Sequence, residues 1–440
     1  MSLTRDDILK EAKAMGIQFL RLQFVDVLGI PKNVEIPAKR LPQALNDGVN
    51  FDGSSIEGFV RIEESDMKLV PDLDTFMFCP WEKDNRVARI ICDVKKSDGN
   101  DFEGCSRTNL KRILKEIKTK GFEINIGTEV EFFMFKWNEK GKPYTTDKGS
   151  YFDLLPLDHE EQLRRDMVIA LEELNFNIEA SHHEVAPGQH EIDFQYGDAL
   201  KIADNLITLK LGIKTLAIQN GYVATFMPKP VYGVPGSGMH THLSLFQDGE
   251  NAFYEANSPD GLSNIARGFI AGLLQHAPAF TAIINPLINS YKRLVPGYEA
   301  PVYIAWAEKN RSPLVRVPPQ RGSGTRAELR SPDPSCNPYL AFSVIIKSGL
   351  DGIEKILDPG KPCNNVNLYE MSCAEREKWG IRNLPRNLGE ALEELEKDET
   401  VKCALTPHIL DYFLNAKQRE WEEFQRMVHP WEVDRYLELY

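Results

Sequence analysis

The sequence predicts an α+β protein made of two unequal domains. The chain has 440 residues, which is more than one hydrophobic core commonly serves. Short strand-like and helical segments share the first part of the chain, whereas longer helices dominate its end. Between them, residues 95–105 (K-K-S-D-G-N-D-F-E-G-C) are polar and contain glycine, which is typical of a domain boundary. We therefore predict a small mixed domain over residues 1–105 and a large domain over residues 106–440.

The small domain is predicted to begin with a helix over residues 4–15, because Thr4 is a good N-cap and Gly16 a good stop. The segment Asn50–Phe59 (N-F-D-G-S-S-I-E-G-F) is predicted as a loop that carries Asp52. The other predicted elements are strands over residues 17–24, 32–36, 75–80 and 86–94, and a short helix near 42–45.

The large domain is predicted to be rich in helices, because apolar side chains recur at three- and four-residue spacing. Thr406 and Pro407 fit the N-cap and first position of the last long helix. The predicted helices cover residues 106–120, 158–175, 199–220, 259–276, 338–357, 388–397 and 406–427.

Composition excludes several classes of protein. Hydrophobic residues make up 42% and charged residues 27% of the chain, as in ordinary globular proteins. A net charge of −13 argues against nucleic-acid or anionic-membrane partners. No apolar run approaches the ~18–20 residues of a membrane span, and the N-terminus lacks the apolar core of a signal peptide. The 7 cysteines have no paired spacing, which indicates free thiols and a cytoplasmic location.

One predicted strand carries two neighbouring carboxylates. Residues 127–135 (G-T-E-V-E-F-F-M-F) are rich in branched and aromatic side chains, which favour a half-buried strand. Because side chains alternate along a strand, Glu129 and Glu131 share one face about 7 Å apart. Burying two carboxylates there is costly without cations. For this pair alone, a solvent-facing strip of an amphipathic strand is the better interpretation.

Two further carboxylates flank a predicted turn. Residues 181–194 read S-H-H-E-V-A-P-G-Q-H-E-I-D-F, with Pro187 and Gly188 at the turn. Glu184 and Glu191 are therefore predicted to lie on adjoining antiparallel strands and to face each other.

Two later segments repeat the spacing of polar residues at every second position. Residues 236–245 (G-S-G-M-H-T-H-L-S-L) run from a loop into a strand with His240 and His242 on one face. Residues 326–330 (R-A-E-L-R) place Glu328 on the same face as Arg330, which lies two residues later. Several strands thus direct acidic, imidazole and guanidinium groups toward one predicted cavity.

Together these residues predict a metal centre. Its candidate ligands are Glu129, Glu131, Glu184, Glu191, His240 and Glu328. Oxygen-rich ligand sets suit Mg²⁺ or Mn²⁺, and five carboxylates exceed the charge of one ion, so two or more ions are expected. Two ions beside acidic ligands commonly serve phosphoryl transfer. A surface charge remains the simpler interpretation of any one of these residues, but not of the set.

A cluster of arginines stands out in this acidic chain. Its members are Arg293, Arg311, Arg316, Arg326 and Arg330. Arginine forks recognise carboxylate and phosphate oxygens, although ordinary surface ion pairs are the alternative. The chain has no G-x-x-x-x-G-K-[ST] motif and no strand-linked G-x-G-x-x-G, so a nucleotide site would be of another kind.

These segments closely resemble the motifs of bacterial type I glutamine synthetases, over nearly the whole chain and in family order. The shared motifs are F-D-G-S-S-I-E-G-F, E-V-E, H-H-E-V-A-P-G-Q-H-E, G-S-G-M-H-T-H, N-S-Y-K-R-L-V-P-G-Y-E-A-P and E-L-R-S-P-D-P. The resemblance implies a small N-terminal β-grasp-like domain and a large catalytic α+β domain with a curved antiparallel sheet. It is to the shorter variety of the family, which is not expected to be adenylylated.

The resemblance implies ATP-dependent ligation of ammonium to L-glutamate through γ-glutamyl phosphate. One metal ion would be held by Glu131, Glu184 and Glu191, and the other by Glu129, His240 and Glu328. ATP contacts would come from Glu179, His242, Ser244, Arg311, Arg316 and Arg326. Glutamate contacts would come from Pro235, Gly236, Arg293, Glu299, Arg311 and Arg330. The catalytic residues would be Asp52, Glu299 and Arg330, with Glu299 on a flap and Asp52 as the residue that takes a proton from ammonium.

The resemblance also implies assembly and regulation. Asp52 would reach the site of a neighbouring subunit in a dodecamer of two hexameric rings. Nitrogen-regulator proteins would be further partners, and feedback inhibition by glutamine would involve Arg61. Tyr369 lies near the family's adenylylation position, and we expect an ordinary exposed tyrosine there. Pro235 replaces the usual Asn, which removes an amide beside the glutamate site.

Two alternatives remain open from the sequence. One is a γ-glutamyl ligase for another amine, such as a polyamine. The other is a ring-forming structural or regulatory relative without catalysis, which the complete set of ligands disfavours.

Overall fold

The computed structural model describes residues 3–59, 65–82 and 86–440. Arg61, the residue expected to sense glutamine, lies outside the described residues. No helix among the described residues is long and apolar enough to cross a membrane.

The first part of the chain forms a small mixed sheet with two helices beside it. Its strand order is β2-β1-β6-β4-β3, β5 pairs with β6, and β1 and β6 run parallel. These elements are α1 (Arg5–Ala14), β1 (Phe19–Val25), β2 (Pro31–Pro37), α2 (Leu41–Asp47), β3 (Val49–Asp52), β4 (Asp66–Pro71), β5 (Met77–Phe78) and β6 (Val87–Lys96).

The second part begins with a long sheet and the helices that cover it. These elements are α3 (Ser106–Thr119), β7 (Glu123–Trp137), β8 (Pro143–Tyr144), α4 (Glu161–Glu172), β9 (Ile178–His183), β10 (Gln189–Asp198), α5 (Ala199–Gln219), β11 (Val223–Thr225), β12 (Met239–Gln247) and β13 (Glu250–Asn251). Helices α3 and α5 both contact β7.

The remaining elements complete this sheet and add a helical layer. They are α6 (Asn264–Ile284), α7 (Ser290–Arg293), β14 (Tyr303–Ile304), β15 (Trp306–Glu308), β16 (Val315–Val317), β17 (Ala327–Leu329), α8 (Pro338–Glu354), α9 (Cys373–Lys378), β18 (Arg382–Asn383), α10 (Leu388–Lys397), α11 (Glu399–Cys403), α12 (Pro407–Arg426) and α13 (Pro430–Tyr436). The main path of the large sheet is β15-β16-β17-β12-β7-β10-β9, antiparallel except for β15 and β16.

The predicted α+β class is confirmed, and most helix bounds agree within a few residues. One helix was predicted too early: α6 begins after Ser263, whose side chain accepts a hydrogen bond from Ala266 N, and it continues through Pro278. Strand β5 is shorter than predicted because residues 73–75 form a 3₁₀ turn. The predicted loop over residues 50–59 begins as strand β3, which pairs with the unpredicted β4.

A buried arginine joins the two parts of the chain. Arg107 Nε and Nη2 donate to Asp204 at 2.9 and 2.8 Å. Its other contacts are with Asp93 and Asp72 of the small sheet region, each at 2.8 Å. Tyr339 Oη also donates to Asp204 at 2.6 Å. The division into domains at residue 105 stays a prediction, but one hydrophobic cluster does extend from Ile8 to Cys105.

Candidate active site

Strand β7 places Glu129 and Glu131 on the sheet face opposite the helices. Val130 and Phe132 are fully buried in the main hydrophobic core. Because neighbouring residues of a strand point to opposite faces, Glu129 and Glu131 point away from that core. Glu131 is buried and Glu129 is half-buried, so this face is a cleft and the solvent-facing interpretation of the pair is wrong.

Strand register brings the other candidate ligands to the same cleft. On one side of β7, Glu191 lies opposite Glu131. On its other side, His240 of β12 lies opposite Glu129. Beyond β12, Glu328 of β17 lies opposite His242. Cross-strand partners have Cβ atoms about 5 Å apart, so ligands that are distant in sequence become neighbours.

The first cluster contains Glu131, Glu184 and Glu191. His182 Nε2 lies 3.1 Å from Glu191 Oε1, and its Nδ1 lies 3.7 Å from Glu184 Oε1. Glu131 accepts hydrogen bonds from Gln189 Nε2 at 2.8 Å and from Gly238 N, in the loop before β12, at 3.0 Å. Burial and the neighbouring charge of Glu131 raise the pKa of Glu184 to about 7 and that of Glu191 well above its ordinary range. This cluster therefore carries more negative charge than its protein neighbours balance.

The second cluster contains Glu129, His240, His242 and Glu328. Glu129 Oε2 accepts from His240 Nδ1 at 2.9 Å, and its Oε1 accepts from His242 Nε2 at 2.8 Å. Burial acts to raise the pKa of Glu129, but the two imidazoles outweigh it and lower the pKa well below the ordinary range. Ligand atoms of Glu129, His242 and Glu328 lie within 4.8 Å of one another. The structure thus groups His242 with the two carboxylates, whereas the family resemblance implied His240.

Arginines enclose the fully buried carboxylate of Glu328. Arg316 Nη1 and Arg330 Nη1 each donate to it at 2.5 Å. Arg293 lies under the same region, where its Nη1 donates to Ser331 O at 2.7 Å. A Cβ on Gly238 would come within 2.5 Å of Arg293 Nη2. These three predicted arginines therefore lie beside the acidic clusters.

A cavity of about 430 Å³ opens beside the second cluster. Four residues of the predicted ATP site line it: Glu179, His242, Ser244 and Arg326. Arg326 Nε donates to His242 Nδ1 at 3.2 Å. The other ring nitrogen of His242, Nε2, is therefore the one that donates to Glu129. A cavity of this size accommodates a small organic ligand.

The loop before β12 requires glycine at its centre. A Cβ on Gly236 would lie 2.1 Å from Pro228 O. Gln189 Nε2, which also holds Glu131, donates to Gly236 O at 3.3 Å. Pro235 is half-buried within the same loop. The loop predicted to bind glutamate is thus attached directly to the first cluster.

Other predicted residues lie at the edges of the site. Glu299 is exposed, and its charge contributes to the raised pKa of Glu184. Arg311 is exposed and hydrogen-bonds to Tyr151. Asp52 lies on the small sheet, where its carboxylate accepts from Ser54 N at 2.8 Å. The chain itself does not bring Asp52 into the acidic clusters.

Sequence reasoning missed several residues of the cleft. They are Tyr151, His182, Gln189, Asp193 and Tyr196. His182 lies two residues before Glu184, so the alternation of side chains along a strand predicts that both point to the same face. The sequence therefore contained the signal for His182. The segment that carries Tyr151 has no regular pattern, and nothing local in the sequence indicates its contact.

A second group of acidic and imidazole side chains lies behind the hairpin of β9 and β10. His183 Nε2 lies 3.1 Å from Asp147 Oδ2. Arg164 Nη1 is 2.7 Å from Asp158 Oδ2 and 2.9 Å from His190 Nδ1. Because the guanidinium already contacts Asp158 and His190, we interpret this group as an ion-pair network that supports the hairpin.

The acidic clusters fit divalent cations. Their donors are carboxylate oxygens and imidazoles, which Mg²⁺ and Mn²⁺ accept. Burial and the charge of Glu131 raise the pKa values of Glu184 and Glu191, and a bound cation would offset both effects. These residues are therefore suited to hold such ions.

In the presence of a metal chelator, we expect the thermal stability of the protein to fall as pH rises from about 4.5 to about 7. The pKa of Glu184 is about 7 in the folded protein against 4.5 for the ordinary group, so folding favours its proton and loses that contribution as the proton dissociates. Calorimetric scans across this range measure the effect, and Glu184→Gln should weaken the dependence. Added Mn²⁺ should stabilise most at the upper end, because ligands must be deprotonated. If thermal stability changed with pH to the same extent in Glu184→Gln, the assignment of this effect to Glu184 would be contradicted.

Together the fold and the site define a class: an α+β protein with an acidic cleft on its large sheet whose side chains are suited to divalent cations. Comparison with known families is specific. Residues 16–97 match the glutamine synthetase β-grasp domain and residues 103–436 match the glutamine synthetase catalytic domain. The chain belongs to the glutamine synthetase family.

Full-length relatives and solved structures agree with this membership. The chain is 53% identical over 439 residues to a glutamine synthetase of Methanosarcina mazei, covering 99% of this chain and 98% of that protein. It is 54% identical over 443 residues to a glutamine synthetase of Staphylococcus aureus, covering 100% and 99%. A structure of GmaS with ADP superposes with a TM-score of 0.90 at 31% identity, covering 98% and 99%. Plasmodium falciparum glutamine synthetase superposes with a TM-score of 0.87 at 26% identity, covering 99% of each chain.

Proposed function

We propose that the protein joins ammonium to L-glutamate at the expense of ATP, giving L-glutamine, ADP and phosphate by way of γ-glutamyl phosphate. The observation that carries the proposal is the division of β7 between two clusters. Glu131 faces one acidic cluster, and Glu129 faces the other beside the 430 Å³ cavity. A nucleotide in that cavity would direct its terminal phosphate between the clusters.

The two clusters would hold two divalent ions, one on Glu131, Glu184 and Glu191, the other on Glu129, His240 and Glu328. His242 is a further candidate for the second ion because of its place beside Glu129. Such ions offset the charge of a transferring phosphoryl group.

The protein's own side chains would orient the reactants. Arg316 and Arg326 would neutralise phosphate oxygens, and Arg293, Arg311 and Arg330 would bind the carboxylates of glutamate. A carboxylate is a poor electrophile, and phosphorylation gives it a leaving group. Arginines fixed by buried contacts need little reorganisation as charge develops.

The second half of the reaction requires a base and exclusion of water. Ammonium must lose a proton before it attacks, so a carboxylate must be near. Asp52 is exposed and outside the clusters of its own chain, which supports a site completed by a neighbouring subunit. We propose a dodecamer of two hexameric rings for this purpose. Glu299 would close the site on its flap.

Purified protein with Mg²⁺ or Mn²⁺, ATP and glutamate should form glutamine when ammonium is added. Glutamine is measured by chromatography and phosphate colorimetrically. The same assay with polyamines or short alkylamines in place of ammonium tests the alternative, a γ-glutamyl ligase for another amine. Faster product formation with an amine than with ammonium would favour that alternative, and no product with any of them would refute ligase activity.

A further inference from the structure

Lys229 connects three segments that border the glutamate side of the site. Its Nζ donates to the carbonyl of Val234, in the loop that contains Gly236. Its ammonium group also lies 3.9 Å from the ring centre of Tyr298. Its backbone exchanges hydrogen bonds with Asn289, at 2.7 Å through N and 3.1 Å through O. One side chain therefore contacts both the glycine loop and the segment that carries Glu299.

The segment Pro296–Glu299, here called the flap, has few other anchors. Pro296, Gly297 and Glu299 are exposed. Glu299 has a φ of 61°, a conformation that is uncommon for a residue with a side chain. The flap is followed by Ala300, whose carbonyl accepts a hydrogen bond from Tyr369 Oη at 2.9 Å. Tyr369 is half-buried for this reason, so the expectation of an exposed tyrosine there is wrong.

We propose that Lys229 is a positioning residue that holds the flap against the glycine loop through its contact with Tyr298. The inference rests on the proposed function, because it assigns Lys229 the task of keeping water from γ-glutamyl phosphate. Water that enters the site would add to the acyl phosphate and release glutamate and phosphate, so ATP would be consumed without glutamine. Closure of a lid over a reactive intermediate is a common solution to this problem.

The chemistry of the contact suits a reversible closure. A cation over an aromatic face gains more when both are partly removed from water, and Lys229 is only 9% exposed. Burial and the neighbouring Arg293 lower the pKa of Lys229, so the ammonium group depends on the carbonyl and ring that face it. Such a contact can hold a loop without fixing it permanently.

The test compares phosphate released with glutamine formed in Lys229→Met, which keeps the apolar stem and removes the charge. We expect about two or more phosphates per glutamine, against one in the unmodified enzyme, because an opened flap admits water. Lys229→Arg should restore a ratio near one, because arginine also binds aromatic faces. Tyr298→Leu should reproduce the defect, whereas Tyr298→Phe keeps the ring and should not.

Lys292→Met is the matched control, since Lys292 is an exposed lysine over Phe424 at 5.9 Å. Hydrogen exchange of a peptide covering residues 295–300 gives a readout that needs no turnover, and it should be faster in Lys229→Met and Tyr298→Leu. An unchanged phosphate ratio and unchanged exchange in these variants would overturn the inference, as would an equal change in Lys292→Met. Failure of the unmodified protein to form glutamine would instead refute the proposed function.

Discussion

Glu328→Ala is expected to lower the rate of glutamine formation about 1,000-fold, the scale seen when a group that stabilises developing charge is removed. The carboxylate is fully buried and lies between Arg316 and Arg330. Burial acts to raise the pKa of Glu328, but Arg330 and then His242 lower it below its ordinary value. The group is therefore an anion that faces the second cluster, where it would hold a cation.

The same substitution is expected to cost about 3–5 kcal/mol of stability, because it leaves buried arginine charge without a partner. Rates with varied Mn²⁺ separate the two effects, since weakened metal binding is overcome by more metal and misfolding is not. Glu308→Ala is the control: Glu308 pairs with Arg321 at 2.8 Å outside both clusters. Unchanged activity and unchanged metal dependence in Glu328→Ala would contradict the metal assignment.

Strand alternation was enough to predict part of the cleft. The spacing of Glu129 and Glu131, and of His240 and His242, requires only that each segment be a strand. What spacing does not give is the order of the strands. The pairing of β7 with both β10 and β12 brings Glu131 opposite Glu191 and Glu129 opposite His240, and the family resemblance implied the grouping of these ligands but not the order of the strands.

Contacts made by irregular segments were not predictable in the same way. Tyr151 reaches Arg311 from a loop without periodicity, and Lys229 reaches Tyr298 across two loops. Strand β4 was missed because Pro71 ends a short, charged segment that reads as a loop. In each case the conformation depends on tertiary packing rather than on local preference.

Arg107→Met is expected to lower the free energy of unfolding by about 3–5 kcal/mol, because it leaves the buried Asp204 without its cation, whereas Asp72 and Asp93 keep Lys111. The guanidinium is 3% exposed, so water cannot replace it. Arg21→Met is the matched control: Arg21 is 28% exposed and pairs with Glu35 and Glu82, and such pairs contribute about 0–1 kcal/mol. Urea unfolding at one fixed protein concentration makes the comparison, since assembly adds to apparent stability. Equal losses in the two variants would show that burial of Arg107 adds nothing, whereas a larger loss in Arg107→Met would show that the buried contact between the small sheet and α5 stabilises the fold more than an exposed ion pair does.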